Sequence, residues 1–450
     1  MPDPVADLAV SGDGGIVVIS NYTHVKVFDG SGNLLWSFRL NPGIEVTAVD
    51  VSRDGNAVVA AFYDGSLSYL LFWRNAASLS GSPPPTWFFE GPHAFVDMNS
   101  LAISGNGNHV VAAFYNGTHS GLAYWNNTLA LEDLVGPTWY TDLWDGQLKY
   151  VDISFNGLSV LVAALTSTPT PSAFLFYIGN VIPLSGLILL SSLFYVGIGV
   201  GPSVDVIDMA LSDNGRYAVV SYYNSLEGYS VYYYDFTWAP SYRYWETEFG
   251  LKGVNGVDIS SDGSIVVATV TSGYPVMYAS YSHVKPDYRL MDDFYFGPSN
   301  ISFYHVDPGF ANGSMIWPDV NVSVDDWLGR VSVSGDGSLA VAGNVFTIFS
   351  NGSSVYAASD DGGLLWYNTS STPISDHVRV SYDGRVAVTG GSDFDSLYYF
   401  QTGGPSIVGG EAHINVPNRI SGVAVTAMMF IAIAAGVYLI ARRHAINTTT

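Results

Sequence analysis

An all-β fold of repeated units, followed by one membrane-spanning helix, is predicted by three observations. A turn motif recurs eight times, aromatic and β-branched segments separate the turns, and a charge-free run of 22 residues ends in a basic cluster. Of the 450 residues, 48% are hydrophobic and 12% charged, with 48 Gly, 30 Tyr and 23 Phe. Aromatic residues favour pleated surfaces and Gly favours tight turns. A disordered chain would need far lower hydrophobicity.

The repeat is Ser-X-Asp/Asn-Gly after a short apolar strand. It occurs at Ser11–Gly14, Ser52–Gly55, Ser104–Gly107, Ser154–Gly157, Ser212–Gly215, Ser260–Gly263, Ser334–Gly337 and Ser381–Gly384. Successive final glycines lie 41, 52, 50, 58, 48, 74 and 47 residues apart. Asp-Gly and Asn-Gly suit the positive φ of a type I′ hairpin turn, and the Ser hydroxyl can bond to the turn backbone. A second apolar strand follows each turn, as in Ala57–Phe62 and Ile265–Val270. A third, aromatic strand comes next, such as Leu67–Trp73 or Ser230–Phe236. A fourth opens with Trp at Trp36, Trp87, Trp139 and Trp366. Four short strands every 40 to 55 residues are the signature of propeller blades.

The pattern resembles WD40-like propeller repeats, whose first hairpin reads Ser-Pro-Asp-Gly. Asp29-Gly-Ser-Gly-Asn-Leu-Leu-Trp36 and Asp361-Gly-Gly-Leu-Leu-Trp366 resemble the third hairpin of pyrroloquinoline-quinone-type repeats. The chain departs from the family form in lacking the motif Pro and the Gly-His and Trp-Asp dipeptides. The resemblance covers roughly residues 5–403 and implies architecture, not activity, because propellers host many functions. Counting hairpins predicts an eight-bladed β-propeller, with seven blades and an irregular segment as the alternative. The last unit shows three strands, so its fourth must come from Ile407–Val416 or from the N-terminus.

Two stretches break the period. Residues 296–328 read as an insertion between the sixth and seventh units, carrying Phe303, Tyr304 and Trp317. Phe174–Val200 is long and apolar, but Asn180 and Pro183 interrupt it, and it occupies third- and fourth-strand positions; buried strands are expected there rather than a second span.

Ile420–Ala441 is free of charge and is followed by Arg442, Arg443 and His444. At about 1.5 Å per residue it reaches roughly 33 Å, enough for a hydrocarbon core of about 30 Å. The basic end places residues 442–450 in the cytoplasm and the preceding chain outside, and argues against a GPI-type tail. The expected organisation is a propeller ectodomain over 1–403, a linker or last blade strand over 404–419, the transmembrane helix over 420–441 and a cytoplasmic tail. Met1–Asp7 does not read as a signal peptide, so export implies a numbering that begins near a mature N-terminus. Ala432 and Gly436 could pack another helix or face lipid.

Glycosylation sequons stand at Asn21, Asn116, Asn126, Asn300, Asn312, Asn321, Asn351 and Asn368; Asn447 fits the motif but lies on the cytoplasmic side. A net charge of −23 sets nucleic acid aside as a partner. The absence of cysteine removes disulfides, thiolate metal sites and cysteine nucleophiles, and with them the vicinal cysteines common in quinoprotein dehydrogenases. Asp50, Asp152 and Asp258 sit two residues before the motif Ser, on strands that line a propeller channel. They could form a cation-binding ring or bond to a neighbouring blade's backbone. Ala9, Ala102, Ala210, Ser332 and Arg379 hold that position elsewhere, so the ring would be incomplete and backbone bonding is the expected role. The nine histidines show no metal spacing, and no nucleophile elbow or phosphate loop occurs. Asp360–Gly363 and Asp393–Asp395 fit turn chemistry as well as calcium. No catalytic, cofactor or metal residue is assigned. The expected role is surface recognition or scaffolding, with membrane lipid around 420–441 and a protein or glycan at the propeller face. A membrane-tethered hydrolase or quinone-dependent dehydrogenase is the alternative.

Overall fold

The computed structural model describes residues 5–401 other than 22, 40–43, 65–66, 92–100, 116–118, 142–143, 167–169, 182, 189–193, 238–242, 251, 272–298, 307–313, 316–319, 325–327, 345–352, 361–363, 371–373 and 392–396. These residues form eight sheets of three to five strands. Their first strands are, in order, Asp7–Val10, Glu45–Val51, Leu101–Ile103, Gln147–Ile153, Val204–Leu211, Gly253–Ile259, Leu328–Val333 and Ile374–Val380. Unit 2 shows the plan: Glu45–Val51, Ala57–Tyr63, Ser68–Arg74 and Trp87–Gly91 run antiparallel in that order. Ala57–Phe62 is apolar at every position because both faces of the sheet are covered, and all six residues have no exposed surface.

Apolar clusters join neighbouring sheets. Val18, Val27 and Trp36 of sheet 1 pack with Val49, Phe62 and Trp73 of sheet 2. The same sharing links sheets 3 and 4 and sheets 7 and 8. The last sheet meets the first: a Cβ built on Gly390 would lie 2.7 Å from Val5, and Asp383 N–H donates to Gly12 O at 3.0 Å. This closed succession of sheets is a β-propeller.

All eight motif turns share one geometry. The Ser Oγ donates to the Asp or Asn Oδ1 two residues on, at 2.6–2.9 Å. It also accepts the N–H of the residue five on, at 2.9–3.1 Å. The turn is not the expected type I′. Only the Gly has positive φ, between 68° and 81°, while the Asp or Asn stays out of that region and serves as acceptor. The glycine is needed for space as well as for φ. In seven of the eight turns a Cβ would fall on the residue that starts the second strand of the preceding unit, as with Gly55 on Ile16, Gly157 on His109 and Gly14 on Val386 across the join; at Gly384 the nearest atom is Ser334 Cβ, at 3.3 Å.

Trp36 and Trp87, on fourth strands, anchor a feature that the strand count did not foresee. The segment between third and fourth strands of one unit returns to the outer edge of the preceding sheet. Asp133–Leu134 pairs in parallel with Trp87–Phe88, Gly186–Ile188 with Trp139–Thr141, and Ser314–Met315 with Trp245–Glu246; Gly81 bridges Trp36. Trp36 Nε1 donates to Ala76 O and Trp87 Nε1 to Thr128 O, each at 2.9 Å, holding the returning segment. These segments, 75–86, 127–138, 180–193 and 306–319, have 12 or 14 residues. Where the segment is short, as at 30–33, 236–242 and 360–363, no such strand forms among the described residues. Sheet 4 accordingly leaves Tyr195 52% and Val200 60% exposed on its outer strand.

Two expectations are corrected. Residues 296–328 are not an insertion: Ser299–His305 and Val320–Val324 are the third and fourth strands of sheet 6, paired with each other, and Ser299–His305 pairs with Ile265–Thr271. The extra length of that unit falls at 272–298, outside the described residues. Of the two sources expected for a fourth strand of sheet 8, the N-terminus gives none among the described residues, since Asp7–Val10 pairs with Ile16–Ser20 as the first strand of sheet 1. Ile407–Val416 and Ile420–Ala441 lie outside the described residues, among which no helix is long and apolar enough to cross a membrane. Phe174–Val200 holds strands, as expected: Ser172–Gly179 and Phe194–Val200 pair in sheet 4, and Gly186–Ile188 covers sheet 3.

Gly157→Ala and Gly81→Ala separate the two demands on turn glycines. Gly81 has φ 71° with nothing within 4 Å, so its substitution should cost about 1–2 kcal/mol from backbone strain alone. Gly157→Ala should cost about 1–3 kcal/mol more, because the new methyl falls on the His109 ring. Urea denaturation midpoints of the two variants check this.

Candidate functional site

The first strands surround a central cavity of about 240 Å³. It is lined by Asp7, Asp50, Asp152, Asp208 and Asp258, with Arg330, Arg379, Ser332 and Tyr150. Strand alternation sorts the acids into two levels. Asp50, Asp152 and Asp258 lie two residues before the motif Ser, and Asp7 and Asp208 four before it.

Each carboxylate is spent in the same way: one oxygen takes the next residue's N–H, and the other takes an N–H from the following sheet. Asp50 accepts from Val51 at 2.8 Å and Ile103 at 2.9 Å. Asp152 accepts from Ile153 at 2.7 Å and Leu211 at 2.8 Å, and Asp258 from Ile259 and Val333, both at 2.8 Å. At the deeper level Asp7 accepts from Leu8 and Val49, and Asp208 from Met209 and Val257. Ser332 Oγ takes over between sheets 7 and 8, accepting from Val380 N–H at 3.2 Å. Sheet 3 has Ala102 at this position, and the cluster containing Ala102, Leu148, Val151 and Phe176 joins it to sheet 4.

The structure therefore brings Asp50, Asp152 and Asp258 together as staples between sheets. It adds Asp7 and Asp208, which the sequence reading missed. Their signal was present, an Asp on the same face of the strand but one alternation earlier, and it was hidden by anchoring the register on the motif Ser alone. Among the described residues no group of three or more His, Asp or Glu side chains could hold a metal ion.

Burial dominates the electrostatics. It pushes Asp50 and Asp152 up to about 7, against the hydrogen bonds from backbone N–H groups that favour the charged form. Asp258 rises to about 6 for the same reason. Asp7 and Asp208 are also raised by burial, and are moderated by His377 and Arg379 beside Asp7 and by Arg330 beside Asp208. Asp7 is 4% exposed, whereas Asp50, Asp152, Asp208 and Asp258 keep partial exposure to the channel.

Towards the motif turns a second cavity is lined by the residues just before each motif Ser, such as Val51 and Ile153, and by second-position residues of the motif, among them Arg53, Phe155, Asp213, Ser261 and Tyr382. Among the sequons, Asn126 and Asn300 are partly exposed. Asn21 is 4% exposed, and its Oδ1 accepts from Thr23 N–H and His24 N–H at 2.9 and 2.7 Å, so a glycan there requires this turn to open. The backbone at Asn321 and Asn368 lies in strands, while Asn116, Asn312, Asn351, Asp361–Gly363 and Asp393–Asp395 fall outside the described residues.

No protein family matches the chain, and no curated protein does. Solved structures similar to it include the Kuenenia stuttgartiensis hydrazine synthase, at 12% identity over 89% of this chain and 96% of that one, TM-score 0.45. A eukaryotic initiation factor is similar at 12% identity over 91% and 87%, TM-score 0.47. The Myceliophteria thermophila Cps50 (Swd1) β-propeller domain is similar at 8% identity over 90% and 98%, TM-score 0.45. The ring of sheets, rather than these likenesses, makes the chain a propeller.

The raised acids set the direction of a pH effect. A carboxyl whose pKa is higher folded than unfolded binds protons more tightly in the fold. Its contribution is then most favourable below 3.8 and is lost as pH rises towards about 7. Stability to urea should increase as pH falls from about 8 to about 5. In Asp152→Asn this slope should be shallower. Asp152→Ala, which strands the buried Leu211 N–H, should cost about 1–3 kcal/mol at any pH in that range.

Proposed function

We propose that the chain is an eight-bladed propeller displayed outside the cell by the span Ile420–Ala441, with residues 442–450 in the cytoplasm, where it serves as a recognition or scaffolding module. The observation that carries this reading is the use of the channel acids. All five spend both oxygens on backbone N–H groups, so the channel works as a joint between sheets. Recognition is then left to the outer surface. There Leu134, Tyr140, Leu187, Tyr195 and Val200 are all exposed by 45% or more, on the outer strands of sheets 2, 3 and 4. Exposed aromatic and aliphatic groups of this kind suit a protein or glycan surface.

The charge-free span and its basic end support the anchor, and the net charge of −23 supports a hydrated exterior with no affinity for nucleic acid. Sequons at Asn126 and Asn300, with Asn116, Asn312, Asn321, Asn351 and Asn368, support an outward-facing glycoprotein.

Protease treatment of intact cells should release the region before residue 420 and leave the end of the chain protected. Cross-linking in native membranes followed by mass spectrometry should then return a protein or glycan attached to sheets 2–4. An N-terminal region resistant to protease in intact cells but cut after lysis would overturn the orientation. Cross-links absent from the propeller would overturn the recognition role.

A further inference from the structure

The second position of the motif, which in this chain carries no Pro, holds a contact that spans the ring. Arg53, in the turn of sheet 2, extends over the channel mouth. Its guanidinium carbon lies 3.9 Å from the ring centroid of Tyr382 in sheet 8 and 4.5 Å from that of Phe155 in sheet 4. Its Nη2 forms an ion pair with Asp213 of sheet 5. Both side chains of that pair are 27% exposed, so the pair is partly withdrawn from solvent.

The glycines at the same motif position make room for this arrangement. A Cβ on Gly12 of sheet 1 would fall on the Arg53 chain, and one on Gly335 of sheet 7 would fall on the Tyr382 ring. Sheet 1 lies between sheets 8 and 2, so the Arg53–Tyr382 contact passes over the join between the two ends of the ring.

That join has modest support of its own. The described termini exchange no strand: Asp7–Val10 pairs within sheet 1 and Leu397–Gln401 within sheet 8. Across it run the Asp383 N–H to Gly12 O bond, the seating of Gly14 on Val386, the approach of Val5 to Gly390 and the attraction of His377 and Arg379 for Asp7. We propose that Arg53 is the latch of the ring, tying sheet 2 to sheet 8 over the join and to sheets 4 and 5 across the channel mouth. The role needs a planar cation that stacks on two rings while pairing with a carboxylate, which a lysine does not reproduce.

Hydrogen–deuterium exchange on the full-length protein tests this. In Arg53→Ala, exchange should become severalfold faster in Asp7–Val10 and Val386–Gly391, the strands at the join, and stay at the parent rate in His109–Tyr115 of sheet 3. Arg53→Lys should show the same selective loss, because the ion pair alone does not bridge to sheet 8. Should Arg53→Ala fail to accumulate as folded protein, Tyr382→Leu keeps Arg53 paired with Asp213 and reads the same strands. Tyr382→Phe, which keeps the ring, should match the parent. An unchanged rate at the join, or a rise spread evenly over all eight sheets, would overturn the latch.

Discussion

A ring of sheets is stable only if its last member closes on its first, because every sheet here buries both faces against neighbours. An open join would expose two apolar faces at once, and among the described residues sheets 1 and 8 have no other partner to cover them. Closure is met by repeating one small device around the ring, the join included. The motif Gly of seven of the eight turns sits against the start of the preceding unit's second strand, and Gly14 on Val386 makes this contact at the join. The Ser hydroxyl that organises the turn makes the same two bonds in all eight units, so the positions of the glycines are set locally and fit together around the ring.

The channel carries the second layer of this joint. Five carboxylates buried near one another are costly, and burial raises all of them. They are tolerated because each bridges two N–H groups that would otherwise face the channel from strand edges with no further strand to pair with. Two levels of acids, with Ser332 at the seventh interface and apolar packing at the third, fasten sheets of different sequence by the same principle. Each channel acid thus has both oxygens engaged by backbone N–H groups, which fixes its position between two sheets. The outer edges differ: some are sealed by a returning segment and some are not, which makes the periphery, and not the axis, the variable part of the molecule.

Much of this was legible in the residues. The eight turns, the apolar second strands, the tryptophans opening fourth strands and the strand character of Phe174–Val200 follow from local patterns of turn chemistry and alternation. The backbone role of Asp50, Asp152 and Asp258 was also expected from their place on the first strand. Other features were not legible. Residues 299–305 and 320–324 looked like an insertion because a long segment before them displaced them from the expected spacing. Asp7 and Asp208 went unnoticed because strand alternation offers two channel-facing levels and the motif marks only one.

The sequence by itself determined the repeated unit, its turn, and the strands on either side, because these depend on residues within five positions of one another and on period-two burial. Only the tertiary structure decided which sheet each segment joins. The returning strands at Gly186–Ile188 and Ser314–Met315 belong to the sheet before their own, and Arg53 meets Tyr382 across 329 positions of chain, from residue 53 to residue 382. Such contacts come from bending the array into a closed ring, which no local pattern encodes. The all-β repeat that the eight turns announced therefore stands, with the turn now resolved as a side-chain-organised bend whose glycine is required by the neighbouring sheet.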